Sequence, residues 1–375
     1  LTLDVPELIE VDDSLEAIQL FFETQGWTDG LPFIPPTRDR VREMYQYLDY
    51  DPKQVIAKLP PRNGEATVER IAINAVMAGC RPEHMYVLLA AVKAIEAPQF
   101  NLNGVQSTTH SSTVAVFVSG PIAAELGMNG GAGAFGPGNR ANASIGRAMR
   151  LILLNIGGGT PGEGDKSTQG SPAKYGFCGT ENVAASPWPP FHVDQGYAPE
   201  DSTVLVVAAE APHNVIDGGS TTALGVMGSM ADAMRSGGTN DLGFGRGNPL
   251  VVFGPEHAEV VAKDGWDRKQ IQAYLWEHAR REYVPRARPQ STAAGANGSP
   301  APVVSGFAPN QNPGISSGER WIAEQPSDIH IMVAGASGGH SSWVPTFGLM
   351  KSVIQRIEHS DGEPVWTAMS PGGRH

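Results

Sequence analysis

Four short, β-branched runs recur along this chain, and each ends in a loop of glycine, proline or polar residues. Thr113–Val118 leads into Ser119-Gly120-Pro121, and Thr203–Ala208 into Glu210-Ala211-Pro212-His213-Asn214. Leu250–Phe253 leads into Gly254-Pro255-Glu256-His257, and Ile329–Val333 into Ala334–Ser342, which contains Gly338-Gly339-His340. Runs this short and apolar read as strands, and their lack of strict alternation fits strands covered on both faces. Helical patterns follow several of them, at Asn142–Asn155, Thr222–Arg235 and Asp267–Tyr283, the last opened by a capping box of Asp267 with Gln270. Strands alternating with helices predict an α/β fold: a helical N-terminal segment, then a mixed, mainly parallel sheet with glycine-rich strand-end loops. Average usage of about 7% would give about 26 glycines. The chain has 45, enough for many tight turns.

The 375 residues divide by texture. Residues 1–100 read as the helical segment: Ser14 and Thr37 cap the first two helices, Thr67 opens a third and Pro82 a fourth. Between the first two lies Gly26-Trp27-Thr28-Asp29-Gly30-Leu31-Pro32, too rich in glycine and proline for helix or strand. Residues 101–284 form the α/β core and 285–317 a linker or long loop. Residues 318–375 carry strand signals that return them to the core. The Gly-Pro pairs at Gly120 and Gly254 each follow a strand and precede a helix, which leaves a weak internal repeat and coincidence both open.

The net charge is −12, and the densest basic group is Arg280, Arg281, Arg286 and Arg288. Nucleic acid is therefore not an expected partner. No apolar run approaches the ~20 residues that cross a membrane, and Leu1–Glu10 lacks the pattern of a secretion signal. The two cysteines, Cys80 and Cys178, lie far apart in sequence. Free thiols in a reducing, cytoplasmic compartment are the expectation, with a small-molecule substrate as partner and a homo-oligomer as the assembly.

Ligands collect beyond the carboxyl ends of parallel strands. The loops there carry His213, His257 and His340, and His110 sits just before the first strand. One mouth gathering His110, His213 and His340, with Asn214 as a substrate contact, would make a proton-transfer site. Each histidine alone reads equally as an ordinary loop residue. No pair has the spacing His-x-x-x-His or Cys-x-x-Cys, so a metal has only weak support, and no nucleotide-cofactor signature is present.

The most suggestive cluster is Cys178-Gly179-Thr180-Glu181-Asn182, continuing to His192 and Asp194. A thiol, a carboxylate and an imidazole can serve nucleophilic and acid–base steps. A nucleophilic Cys178 needs a nearby cation, because Glu181 alone raises the thiol pKa. The other reading is a small buried hydrophobe, and Cys80 reads as packing. Farther upstream, the glycine loop Asn129–Asn139, including Gly136 and Gly138, leads into Arg140 and Asn142 at a helix start. Its N–H groups can hold an anion and Arg140 can clamp a carboxylate; the alternative is a structural turn.

Gly26–Pro32, Asn74-Ala75-Val76-Met77-Ala78-Gly79-Cys80-Arg81-Pro82, Phe135-Gly136-Pro137-Gly138 with Arg140-Ala141-Asn142, Cys178 with Glu181-Asn182 and Ser186-Pro187-Trp188, and Gly254-Pro255-Glu256-His257-Ala258 together resemble a bacterial family of similar length. Its members are associated with neighbouring small proteins bearing a U/C-Gly-Ser-Cys selenocysteine or cysteine motif. The resemblance spans roughly residues 15–280 and brings no reaction or catalytic residue with it. What it implies is a two-component enzyme with a thiol- or selenol-bearing partner.

The leading expectation is an enzyme for hydrolysis or lysis of a C–N or C–S bond in a small polar or anionic molecule. Cys178 would be the nucleophile, Glu181 an acid or base, and His110, His213 or His340 the proton carrier. Arg140, Asn142, Gly136 and Gly138 would hold the substrate anion. The alternatives are a redox component whose Cys178 exchanges with the partner's thiol or selenol, and a non-catalytic ligand-binding or scaffold subunit.

Overall fold

Local signals set the first elements. In the computed structural model, which describes residues 8–282 and 318–369, Ser14 caps α1 (Leu15–Gln25) and Gly26 ends it in the left-handed region. Thr37 caps α2 (Arg38–Glu43). An antiparallel hairpin follows, β1 (Val55–Leu59) with β2 (Gly64–Thr67). It is absent from the sequence reading because its Lys58, Glu65 and alanines have little strand propensity. Thr67 then caps α3 (Val68–Ala78), ahead of α4 (Met85–Glu96) and α5 (Leu102–Ser107).

The remaining elements are β3 (Thr113–Ser119), α6 (Pro121–Glu125), α7 (Arg140–Asn155), β4 (Cys178–Thr180), α8 (Phe191–Asp194), β5 (Thr203–Ala209) and β6 (His213–Ile216). They continue with α9 (Ala223–Met234), α10 (Asn240–Phe244), β7 (Leu250–Phe253), α11 (Pro255–Lys263), α12 (Arg268–His278) and β8 (Arg281–Glu282). The chain closes with β9 (Glu319–Arg320), β10 (His330–Val333), β11 (His340–Val344) and β12 (Val353–Arg356). The capping box of Asp267 and Gln270 is formed at α12. The linker expected at 285–317 lies outside the described residues.

Two four-stranded sheets, ordered β12-β5-β3-β4 and β10-β7-β11-β6, stack face to face. Alternate residues of one strand enter different cores. Val114, Val116 and Val118 face α3, α4 and α7, whereas Ala115 and Phe117 meet Leu250, Val252, Met332 and Val344 between the sheets. On the far side Val251, Phe253, Ile331 and Val333 face α9, α11 and α12. The architecture is therefore helix, sheet, sheet, helix.

That stacking explains one correction. The fold is α/β and its sheets are mixed, but only β3–β4 and β7–β10 pair parallel. The pairings β3–β5, β5–β12, β7–β11 and β6–β11 are antiparallel. Apolar faces on both sides of a strand come here from a second sheet as well as from helices, so they carry no information about direction.

The two Gly-Pro turns mark equivalent places in a repeated plan. Leaving aside α5, α8, α10, β8 and β9, one half runs α4, β3, α6, α7, β4, β5, and the other α9, β7, α11, α12, β10, β11, each with one parallel and one antiparallel neighbour of its first strand. The fourth strands are exchanged: β6 follows β5 but pairs with β11, and β12 follows β11 but pairs with β5. The turns correspond in part, each against a serine, though the donor is two residues past the glycine in the first and the glycine itself in the second. Ser202 Oγ accepts from Ile122 N at 3.0 Å, and Ser341 Oγ from Gly254 N at 3.0 Å. A Cβ at Gly120 would stand 2.3 Å from Asp201 O, and one at Gly254 2.2 Å from His340 O. Gly120→Ala and Gly254→Ala should each destabilise the protein by roughly 1–3 kcal/mol or more in urea unfolding. A loss below about 0.5 kcal/mol in either, typical of neutral surface changes, would contradict the close approach.

Candidate functional site

The residues expected to act together occupy separate layers. Cys178 pairs with Val116 and points into the helix-side core. Burial pushes its thiol up, with Cys80 adding to the rise, while the Gly179 N–H opposes it. Cys80 is pushed up to about 12 by burial, against a hydrogen bond from Ser144 and the charge of Arg140. Both thiols are buried, and burial disfavours the thiolate in each, a setting that fits the packing reading of Cys178 more closely than the nucleophile.

Glu181, just beyond β4, goes elsewhere. It accepts from Ser119 Oγ at 3.0 Å and from Phe191 N at 2.7 Å, and lies 3.5 Å from the Arg268 guanidinium. His192 Nδ1 is 2.9 Å from the same Ser119 hydroxyl. Ser119, Glu181, His192 and Arg268 are all buried. The network joins the first half to α12 of the second and is closed to substrate.

At the start of α7, Asn142 is also spent internally. Its amide donates to Asn129 O and Ala134 O, and its oxygen accepts from Asn129 N. Gly136 closes a turn onto Gly133 O, and Gly138 adopts φ 118°. Arg140 is exposed, with Nε donating to Gly79 O at 3.0 Å, so it ties the loop to the end of α3. This matches the structural turn more closely than the anion cradle.

The three histidines do not share a cleft. In the β6–β11 pair Trp343 opposes His213 and Ser342 opposes Asn214. Opposed residues share a face, so His213 lies on one side of the pair and His340 with Asn214 on the other. His340 Nδ1 is 3.1 Å from Asn214 Oδ1. His110 sits beyond the other end of β11, its ring stacked on Phe347 at 5.9 Å. The expectation fails for His340, because β6 and β11 run antiparallel within their sheet and His340 stands at the opposite end of β11 from His213 and His110.

His110 does stand in a reactive setting. Its Nε2 is 2.6 Å from Glu210 Oε1, with side-chain exposures of 13% and 30%. Nδ1 is buried with no hydrogen-bond partner among the described residues, as is Ser112 Oγ nearby in sequence. Ser167 Oγ donates to His110 O at 2.8 Å and accepts from Lys174 Nζ at 2.6 Å. Lys174 also reaches Asp165 at 2.6 Å, beside Arg150 at 3.5 Å. Burial holds the Lys174 ammonium below its usual range, with Arg150 adding to that and Asp165 opposing it. Glu210, Ser167, Lys174, Asp165 and Arg150 escaped the sequence reading. Glu210 lies 100 residues from His110, and only its place in a strand-end loop hinted at a role.

Behind Glu210, the fully buried Asp241 accepts from Thr346 N at 2.8 Å and from the Thr346 hydroxyl. Burial pushes its carboxyl up to about 7, and the charge of Glu210 adds to this against the Thr346 hydrogen bonds. Among the described residues, no group of three or more His, Cys, Asp or Glu is placed to hold a metal ion.

Two outcomes follow from these placements. In the folded protein Cys80 and Cys178 should alkylate on the order of a hundredfold more slowly than in urea, and rapid native labelling of Cys178 would restore it as a nucleophile. Folded Asp241 holds its proton more tightly than the unfolded chain. Its stabilising contribution is thus complete below its ordinary pKa of 3.8 and is lost as pH rises through about 7. The Tm advantage of the parent over Asp241→Asn should shrink across that window, and a constant difference would refute the raised carboxyl. No protein-family model, curated protein or solved structure matches this chain.

Proposed function

We propose that the chain is an enzyme acting on a small polar or anionic molecule, with the Glu210–His110 pair moving a proton during hydrolysis or lysis of a C–N or C–S bond. The observation that carries this reading is the 2.6 Å contact between a half-exposed carboxylate and a largely covered imidazole. Glu210 is the member that reaches solvent: it takes a proton from the attacking water in hydrolysis, or from the substrate carbon in lysis, and returns it to the departing nitrogen or sulfur. His110 donates from Nε2 and steadies the carboxylate, as the orienting member of a catalytic pair does. Lys174 reaches the backbone of His110 only through Ser167, and both Lys174 and Arg150 are paired with Asp165, so the anionic character of the substrate rests on the sequence reading rather than on these cations. Cys178 has no part in this chemistry. The redox alternative draws less support, because thiol exchange needs a sulfur that a partner can reach and both thiols are buried.

The test is release of ammonia or thiol from a panel of small carboxylate-bearing amides, amines and thioethers. Glu210→Gln and His110→Gln should each lower turnover by about 10²–10⁴-fold, the usual contribution of a positioned acid–base group. Cys178→Ala should keep activity within about tenfold, a loss of about 1.4 kcal/mol. The reading fails if Glu210→Gln matches the parent, if Cys178→Ala is inert, or if the parent turns over nothing in the panel.

A further inference from the structure

Seven of the fifteen large apolar side chains that stand exposed among the described residues lie between Leu8 and Ile34. Leu15 and Leu20, on α1, are 60% and 65% exposed, and α1 buries none of its eleven residues. Its Ile18 and Phe22 are half-buried against the helix-side core. The neighbouring face of α1 borders an open trough of about 540 Å³. Leu15, Leu20, Pro32 and Phe33 give the trough apolar walls, and Glu16 and Glu23 line it as well. From Leu15 to Glu23 it follows the helix for about 12 Å, at about 1.5 Å per residue. A helix this short draws its stability from packing, and an exposed apolar patch with a polar rim marks an interaction surface.

Charge selects the occupant. Residues 8–37 contain six carboxylates and no lysine, arginine or histidine. Asp29 is spent on Arg147 at 2.8 Å. The other five, Glu10, Asp12, Asp13, Glu16 and Glu23, are exposed and make no ion pair among the described residues. The arginines that follow on α2 do not line the trough. A second copy docked through the same face would set these five carboxylates against five more, and like charges across an interface are unfavourable. Anionic lipid surfaces and nucleic acid are repelled as well. What fits is an apolar stripe with lysine or arginine beside it. A trough that follows one helix suits another laid against it, its anchors spaced i, i+3, i+4 and i+7.

We propose that the trough beside α1 docks a basic amphipathic helix of a partner protein, whose apolar side chains enter between Leu15, Leu20 and Phe33 and whose cations meet Glu16 and Glu23. This surface is separate from the Glu210–His110 site and does not depend on the reading given to that site.

The probes are peptides of about 18 residues, long enough to hold a helix. One carries leucine at i, i+3, i+4 and i+7 with lysine elsewhere, a second has glutamate in place of lysine, and a third scrambles the leucine–lysine order so that no apolar face forms. Each is titrated against the full chain by fluorescence anisotropy in about 0.15 M salt, where exposed charges interact over about 8 Å. The leucine–lysine helix should bind saturably, at least roughly tenfold tighter than either of the others. Leu20→Lys should weaken it by roughly tenfold or more, as loss of an interface anchor does. Ile216→Lys, at a position 67% exposed on β6, should leave it unchanged. Glu16→Gln together with Glu23→Gln should weaken it by roughly threefold or more, as loss of two exposed ion pairs does. Absence of saturable binding, a scrambled or glutamate peptide that binds equally, or a Leu20→Lys variant that binds like the parent would overturn the docking site. A parent that self-associates in sedimentation while Leu20→Lys stays monomeric would give the surface to a second copy and overturn the partner. Binding to phosphatidylcholine vesicles that Leu20→Lys abolishes would give it to a membrane and overturn the partner as well.

Discussion

Everything in this molecule is arranged around two sheets pressed face to face. Phe117, Leu205, Val207, Val252 and Val344 meet between them, and fully burying one such side chain contributes about 1.5–3 kcal/mol. Once that inner layer exists, each strand must also be apolar outside, where helices cover it. No strand face in the centre is left for water or substrate. The exchange of β6 and β12 then ties the halves together, since each supplies the strand that covers the other's exposed third strand. An uncovered edge of such apolar sheets would invite aggregation, so neither half is expected to persist alone.

Polar groups trapped by this arrangement must satisfy one another. Glu181 and Arg268 come from different halves and meet where both are buried, with Ser119, His192 and Phe191 N completing the shell. Breaking such a pair from one side typically costs about 3–5 kcal/mol. Seen this way, the acid expected to work beside Cys178 is a clamp between halves. Glu210 and His110, by contrast, meet at a rim, at one end of β5, where both keep some exposure.

Much of the fold was legible in the residues. Ser14, Thr37 and Thr67 cap as their side chains dictate, Asp267 and Gln270 form their box, and the unalternating strands are covered on both sides. Strand direction was not legible, because an apolar run looks the same under a helix or a second sheet. Nor were the partnerships that make sites. His110 meets Glu210 across 100 positions, a separation at which one sequence carries no pairing signal. Local proximity misled in the opposite sense. Cys178 and Glu181 are three residues apart, yet the end of a strand sends one into the helix-side core and the other toward α12.

The repeat itself shows where chemistry is free to differ. His110 stands ten residues before Gly120, and its counterpart ten before Gly254 is Phe244. Glu210 stands eight after Ser202, and its counterpart eight after Ser341 is Leu349. Gly348, beside Leu349, comes close enough to Phe244 that a Cβ on it would stand 3.2 Å from the Phe244 Cβ, while Leu349 itself is exposed. Counted from the two turns, an ionisable pair in one half thus corresponds to two apolar residues in the other. Apolar residues at such positions carry no polar group that needs a partner. A carboxylate and an imidazole there must instead satisfy each other, as Glu210 and His110 do at 2.6 Å.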